Sequence, residues 1–209
     1  DPSGTVAGFA DATGRFLPLA ATLNCTLAVD RIAAWLGLDR EAAAEQTDAV
    51  VLPYLDGERT PNLPNAAATI TGLRHTTTPE QILRAAYEGT AMSLLGAIDV
   101  IDAHSSGVDP AAPIVLVGGG AKGETWRKVI GELSGRMVEV PAAQELVALG
   151  AAAQAAAMLS GEPPEAIARR WETRRGTVVP AVARDEEALA RIRRVQEATA
   201  ALNTPDPTP

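Results

Sequence analysis

The sequence predicts a layered α/β domain. Short apolar runs of strand length alternate along the chain with stretches of helical period. One of those runs, Ile114-Val115-Leu116-Val117, passes directly into Gly118-Gly119-Gly120 and then into a helix. The composition agrees: 46% of the 209 residues are hydrophobic and 21% charged, while aromatics make up 3%, so the core must be aliphatic.

Residues 6–10 and 15–19 read as two strands around the turn Asp11-Ala12-Thr13-Gly14. Residues 23–37 read as a helix that Gly37 ends, with Leu27, Ile32, Ala34 and Leu36 among its apolar positions. A short helix is expected over 40–47, a strand over 50–55, a polar loop punctuated by proline over 56–65 and an extended piece over 68–73. The longest helix is expected over 79–104. Thr78 is its N-cap, Pro79 its first residue and Gln81 the partner in a capping box. Ile82, Ala85, Ala86, Gly89, Met92, Gly96 and Val100 share one face, small enough to pack closely on a sheet. Then come strand 114–117, the glycine turn, helix 123–134 closed by Gly135, and strand 137–140. An alanine-rich helix over 146–159 and two helices near 164–173 and 185–202 complete the order. One domain over 1–203 is expected, with residues 204–209, rich in proline, as a disordered tail. Asp1-Pro2-Ser3-Gly4 reads as a turn from inside a longer protein, so a fragment is expected.

Charge and composition exclude several classes. A net charge of -8 argues against nucleic acid and anionic membrane as partners. No apolar run reaches the roughly 18–20 residues of a membrane span, and no signal-peptide pattern is present, so a cytoplasmic setting is expected. Cys25 is the only cysteine and His75 and His104 the only histidines, so no metal site is expected. The oligomeric state is left open, a homodimer included.

The glycine turn is the main candidate site. Three glycines remove every Cβ, so a ligand can reach the backbone, and the following helix start offers N–H groups and the positive end of its dipole. The turn lacks the Gly-Lys-Ser/Thr of a phosphate loop and the third glycine of a dinucleotide fingerprint. Ligand contact is favoured, with a plain tight turn as the alternative. Lys122 is within reach of a phosphate or is a solvated charge. Glu58 and Arg59 form either a site pair or, the favoured reading, a loop tied down by its own hydrogen bonds. Ala148-Leu149-Gly150-Ala151-Ala152 reads as a helix face packed tightly on the sheet. Asp99 and Asp102 read as a solvated face, and His75 and His104 as cap or surface residues. No catalytic residue is legible.

Four stretches together resemble the C-terminal half of an FGGY-family carbohydrate kinase. Leu52-Pro53-Tyr54-Leu55-Asp56-Gly57-Glu58-Arg59-Thr60-Pro61 resembles a segment typical of the xylulose-phosphorylating branch. Ala68-Thr69-Ile70-Thr71-Gly72-Leu73 with Gln81-Ile82-Leu83-Arg84-Ala85-Ala86-Tyr87-Glu88 is similar to the family's second signature. Val117 to Lys122 with Trp126-Arg127 resembles its adenosine motif, and Ala148 to Ala152 the helix beside that motif.

The resemblance implies a ribonuclease-H-like (actin/hexokinase-type ATPase) domain with a mixed sheet flanked by helices. It implies ATP and Mg2+ as cofactors, ATP/ADP as ligand, and phosphorylation of D-xylulose to D-xylulose 5-phosphate, with the sugar held by an N-terminal domain. L-ribulose, gluconate or glycerol is the alternative substrate, and a non-catalytic nucleotide-binding module the alternative of another class. Gly118, Gly119, Gly120, Lys122 and Gly123 are implied to bind the nucleotide. Gly123 stands where serine is common in the family, which removes one hydroxyl contact. The family's aspartate base is expected upstream of residue 1, so neither Asp11 nor Asp30 is assigned that role, and this chain alone is expected to be inactive.

Overall fold

The computed structural model describes residues 4–203; the expected tail at 204–209 lies outside them. The chain opens with an antiparallel hairpin, β1 (Ala7–Ala10) and β2 (Phe16–Leu19), in the register Ala7↔Leu19 to Ala10↔Phe16. Its turn is built by the Asp11 carboxylate, which accepts the amides of Thr13 and Arg15. Every residue of both strands is exposed, Phe16 at 80%.

Helix α1 (Thr26–Leu36) begins three residues later than the sequence suggests; the amides of Leu23 and Asn24 ahead of it donate to the Glu58 carboxylate. Its buried residues are Ala28, Val29, Ile32 and Ala33, while Leu27 and Ala34, also among its apolar positions, are exposed. Gly37, left-handed at φ 69°, ends the helix as expected. Of the helix expected over 40–47 only a 3₁₀ turn forms, Arg40–Ala42, and Ala43 is already extended.

Strand β3 (Val50–Leu52) is buried throughout and pairs antiparallel with β4 (Thr69–Thr71). Helix α2 (Pro79–Ala103) carries the expected capping box between Thr78 and Gln81. It is the axis of the molecule: over residues 83–91 it is buried on all sides rather than on one. Gly89 allows this, since a Cβ there would stand 1.8 Å from the Val51 carbonyl oxygen of β3.

Strand β5 (Ile114–Val115) is shorter than expected and pairs parallel with β6 (Val138–Pro141). On the far side of β6 lies β7 (Gly176–Val179), antiparallel, which has no counterpart among the expected elements. This mixed sheet is flanked by α3 (Glu124–Ser134), which ends at left-handed Gly135 as expected. Helix α4 (Leu146–Ser160) does not pack on the sheet. Only Ala153 and Ala157 are buried, against Ile167 of α5 (Pro164–Arg170), and Ala148, Gly150, Ala151 and Ala152 are exposed. The expectation failed because apolar character all round the helix gives no indication of which face is covered. Helix α6 (Glu186–Ala198), capped by Asp185, and the short α7 (Ala200–Asn203) finish the described chain.

The main core gathers Leu83, Tyr87 and Ala91 of α2 with Val29, Ile114, Trp126, Ile130 and Leu189. Beside it runs a buried ionic chain. Arg84 bonds Glu88 at 2.8 Å and Glu132 at 2.6 Å, and Arg191 bonds the other Glu88 oxygen at 2.8 Å. Three helices, α2, α3 and α6, are thus tied together. No helix of the described residues is long and apolar enough to cross a membrane.

Candidate functional site

The carboxyl ends of the parallel strands β5 and β6 open onto a cleft of about 430 Å³. In α/β sheets this is where ligands are held, because strand ends splay and loops depart in opposite directions. The floor is Leu116, Val117, Val140 and Pro141, with Thr177 of β7 beside them. Gly118 and Gly119 form one wall and Lys122 and Arg127 the rim. The segment 142–146, leading into α4, forms the other wall.

The three glycines serve three purposes. Gly118 has φ 91° and ψ −177°, a backbone state that side chains rarely adopt. Gly119 opens the 3₁₀ turn Gly119–Lys122, and a Cβ there would meet nothing within 4 Å. Gly120 faces the fold instead: a Cβ would stand 2.7 Å from Cγ2 of Thr26 at the start of α1. Ala121, under the turn, is buried, and its amide donates to the Gly118 carbonyl at 3.3 Å. Trp126 fills the space beneath and meets Tyr87 with ring centroids 6.1 Å apart.

The amino end of α3 is already engaged. The Glu41 carboxylate accepts the Thr125 amide at 2.9 Å, and a Cβ on Gly123 would stand 2.8 Å from Glu41 Oε1. The helix dipole therefore meets a carboxylate of this chain, and Gly123 lies against Glu41 rather than in the cleft. Gly118, Gly119 and Lys122 are brought together in the cleft; Gly120 and Gly123 shape it from outside.

Arg127 was not singled out as a site residue. It lines the cleft, and its Nε is buried without a hydrogen-bond partner. The signal in the sequence is its place one turn into α3, on the side of Gly123, whose carbonyl accepts its amide.

Glu58 and Arg59 do not form a site pair. Glu58 is 1% exposed and its oxygens accept amides from Leu23, Asn24 and Arg59, whereas the Arg59 side chain is on an exposed residue. The loop is held by hydrogen bonds as expected, but mostly to the segment before α1 rather than to itself. Leu23 and Asn24 donate to Glu58, Thr60 donates to the Ala21 carbonyl, and of the Glu58 donors only the Arg59 amide comes from within the loop. His104 is the C-cap of α2 and His75 is exposed. Among the described residues no group of three or more His, Cys, Asp or Glu can hold a metal ion.

The family description "FGGY family of carbohydrate kinases, C-terminal domain" matches residues 10–159. A xylulose kinase of Streptomyces coelicolor is 61% identical over 193 residues, which are 92% of this chain and 40% of that protein. A xylulose kinase of Escherichia coli K12 is 39% identical over 118 residues, 53% of this chain and 24% of that one. Among solved structures, a xylulose kinase from Bifidobacterium adolescentis superposes with a TM-score of 0.75 at 35% identity, covering 94% of this chain and 39% of that chain. One from Brucella ovis reaches a TM-score of 0.80 at 23% identity, a likeness of fold. The chain spans about 40% of the length of the Streptomyces coelicolor protein.

Proposed function

Since this chain belongs to the FGGY family of carbohydrate kinases, as its C-terminal domain with an actin/hexokinase-type ATPase fold, we propose that it is the nucleotide-holding half of a sugar kinase. The observation that carries this is Gly118-Gly119. Their missing side chains leave open backbone at the carboxyl ends of two parallel strands, on a cleft large enough for a nucleoside. D-xylulose is the sugar of this reading, supported by the relatives at 61% and 60% identity. A glycerol kinase and a gluconokinase stand at 30% and 33% over shorter stretches. A cytoplasmic setting belongs to the same reading.

ATP would supply the phosphoryl group passed to a sugar hydroxyl. The chain's own task is to bind and orient, since phosphoryl transfer asks little covalent chemistry of a protein. The backbone at Gly118 and Gly119 admits close approach of the nucleoside. Lys122 and the unpartnered Arg127 Nε offer positive charge to phosphate oxygens. Among the described residues no group of three or more His, Cys, Asp or Glu could hold the magnesium ion.

Calorimetric titration of the chain with ADP tests the reading. Saturable binding that Gly119→Val weakens about tenfold is expected, because the new methyls would occupy the cleft. A folded wild-type chain that takes up no ADP refutes it. In a coupled assay the chain alone should not turn over D-xylulose.

A further inference from the structure

We infer that Glu58 is a positioning residue for the glycine turn, acting through Asn24 and Thr26; its role in binding rests on the nucleotide reading of that turn. Glu58 is a buried carboxylate that the cleft does not use. Its Oε1 accepts the amides of Leu23 at 2.6 Å and Arg59 at 2.7 Å. Its Oε2 accepts the Asn24 amide at 3.3 Å and Asn24 Nδ2 at 3.2 Å. All four donors are N–H groups, so both oxygens must remain acceptors. Asn24 completes the joint: Nδ2 also donates to the Gly57 carbonyl at 2.6 Å, and Oδ1 accepts the Leu55 amide at 3.3 Å.

Two residues further on is Thr26, the first residue of α1, whose methyl and hydroxyl lie at 2.7 and 2.9 Å from a Cβ position on Gly120. The loop around Glu58 thus fixes Asn24, the backbone carries that position through Cys25, and Thr26 seats the outer side of the turn. This gives the 55–60 segment, far from the cleft in sequence, a physical route to Gly118 and Gly119. A carboxylate is required because Gln at position 58 keeps the size yet sets an NH2 against two N–H donors.

The test uses the whole chain. Hydrogen exchange of the peptide covering 116–123 and ADP titration are measured for wild type, Glu58→Gln, Thr26→Ser and the double variant. Expected are exchange in the turn about tenfold faster in Glu58→Gln, unchanged exchange in α6, and ADP binding about tenfold weaker. The two substitutions should be non-additive, since both cut one route. Unchanged exchange in the turn, or additive effects, overturns the inference. If Glu58→Gln fails to fold, Asn24→Ala takes its place in the same cycle; if both unfold, the joint serves the whole fold and the inference falls. A wild type that binds no ADP removes the nucleotide reading, while the exchange arm still decides the coupling.

Discussion

Substitution at Gly118, Gly119 and Gly120 meets a different obstacle at each position. Gly118→Ala forces a side chain into a glycine-only backbone state and should cost about 1–3 kcal/mol, read as a lower denaturant midpoint. Gly119→Val, with open space around the new atoms, should leave that midpoint nearly unchanged while weakening ADP. Equal loss of stability in both would show that the turn needs its glycines only for conformation. The three glycines were visible in the sequence as one feature with one purpose. Their division was not, because Thr26, which faces Gly120, arrives from far away in the chain. Glu58 shows the same limit: a loop held by side-chain hydrogen bonds was legible, but that Leu23 and Asn24, far off in the chain, are its main donors was not.

At the scale of elements, period survives translation into structure better than phase does. Helix α2 was legible from its capping box, and α1 and α3 from their closing glycines. The covered face of α1 was not, since Leu27 and Ala34 are as apolar as the residues that are buried. Short β7 went unread because its β-branched run lies between arginines and proline with no alternation. Helix α3 carries a prediction. Its amino end is capped by Glu41, so Glu41→Ala should destabilise the chain by about 0.5–1 kcal/mol, seen in urea unfolding. A midpoint equal to wild type would mean that solvent satisfies the Thr125 amide equally well. Helix α2 carries another: Gly89→Ala drives a methyl into the Val51 carbonyl and should prevent folding or cost about 3 kcal/mol or more.

For the molecule as a whole, large apolar side chains are uncovered at several places among the described residues, Phe9, Phe16 and Leu17 on the hairpin and Val147, Met158 and Leu159 on α4 among them. The isolated chain should bind a hydrophobic dye and self-associate at high concentration; a monomer silent to the dye would contradict this. The alkaline limit follows from two tyrosines. Burial raises the phenols of Tyr87 and Tyr54, opposed by hydrogen bonds from Arg40 and Gln196. The folded state therefore favours the neutral phenols. Their contribution is complete below the usual phenol value of about 10 and is lost as pH rises through the higher folded values. Phenolate absorbance should thus appear together with unfolding; titration of both tyrosines in a still-folded chain would refute it.

Strand β6 sits between a neighbour that precedes it and one that follows much later, β7, whose Thr177 lies on the cleft floor. A ribosome delivers the chain in order, so the glycine turn leaves the exit tunnel well before the strand that completes its floor. At about 5–20 residues per second, the gap is several seconds. During that interval the turn exists but its cleft lacks Thr177 and the strand that braces its floor, and a nascent chain halted before residue 176 should hold nucleotide more weakly than the full chain in an ADP pull-down of stalled ribosomes.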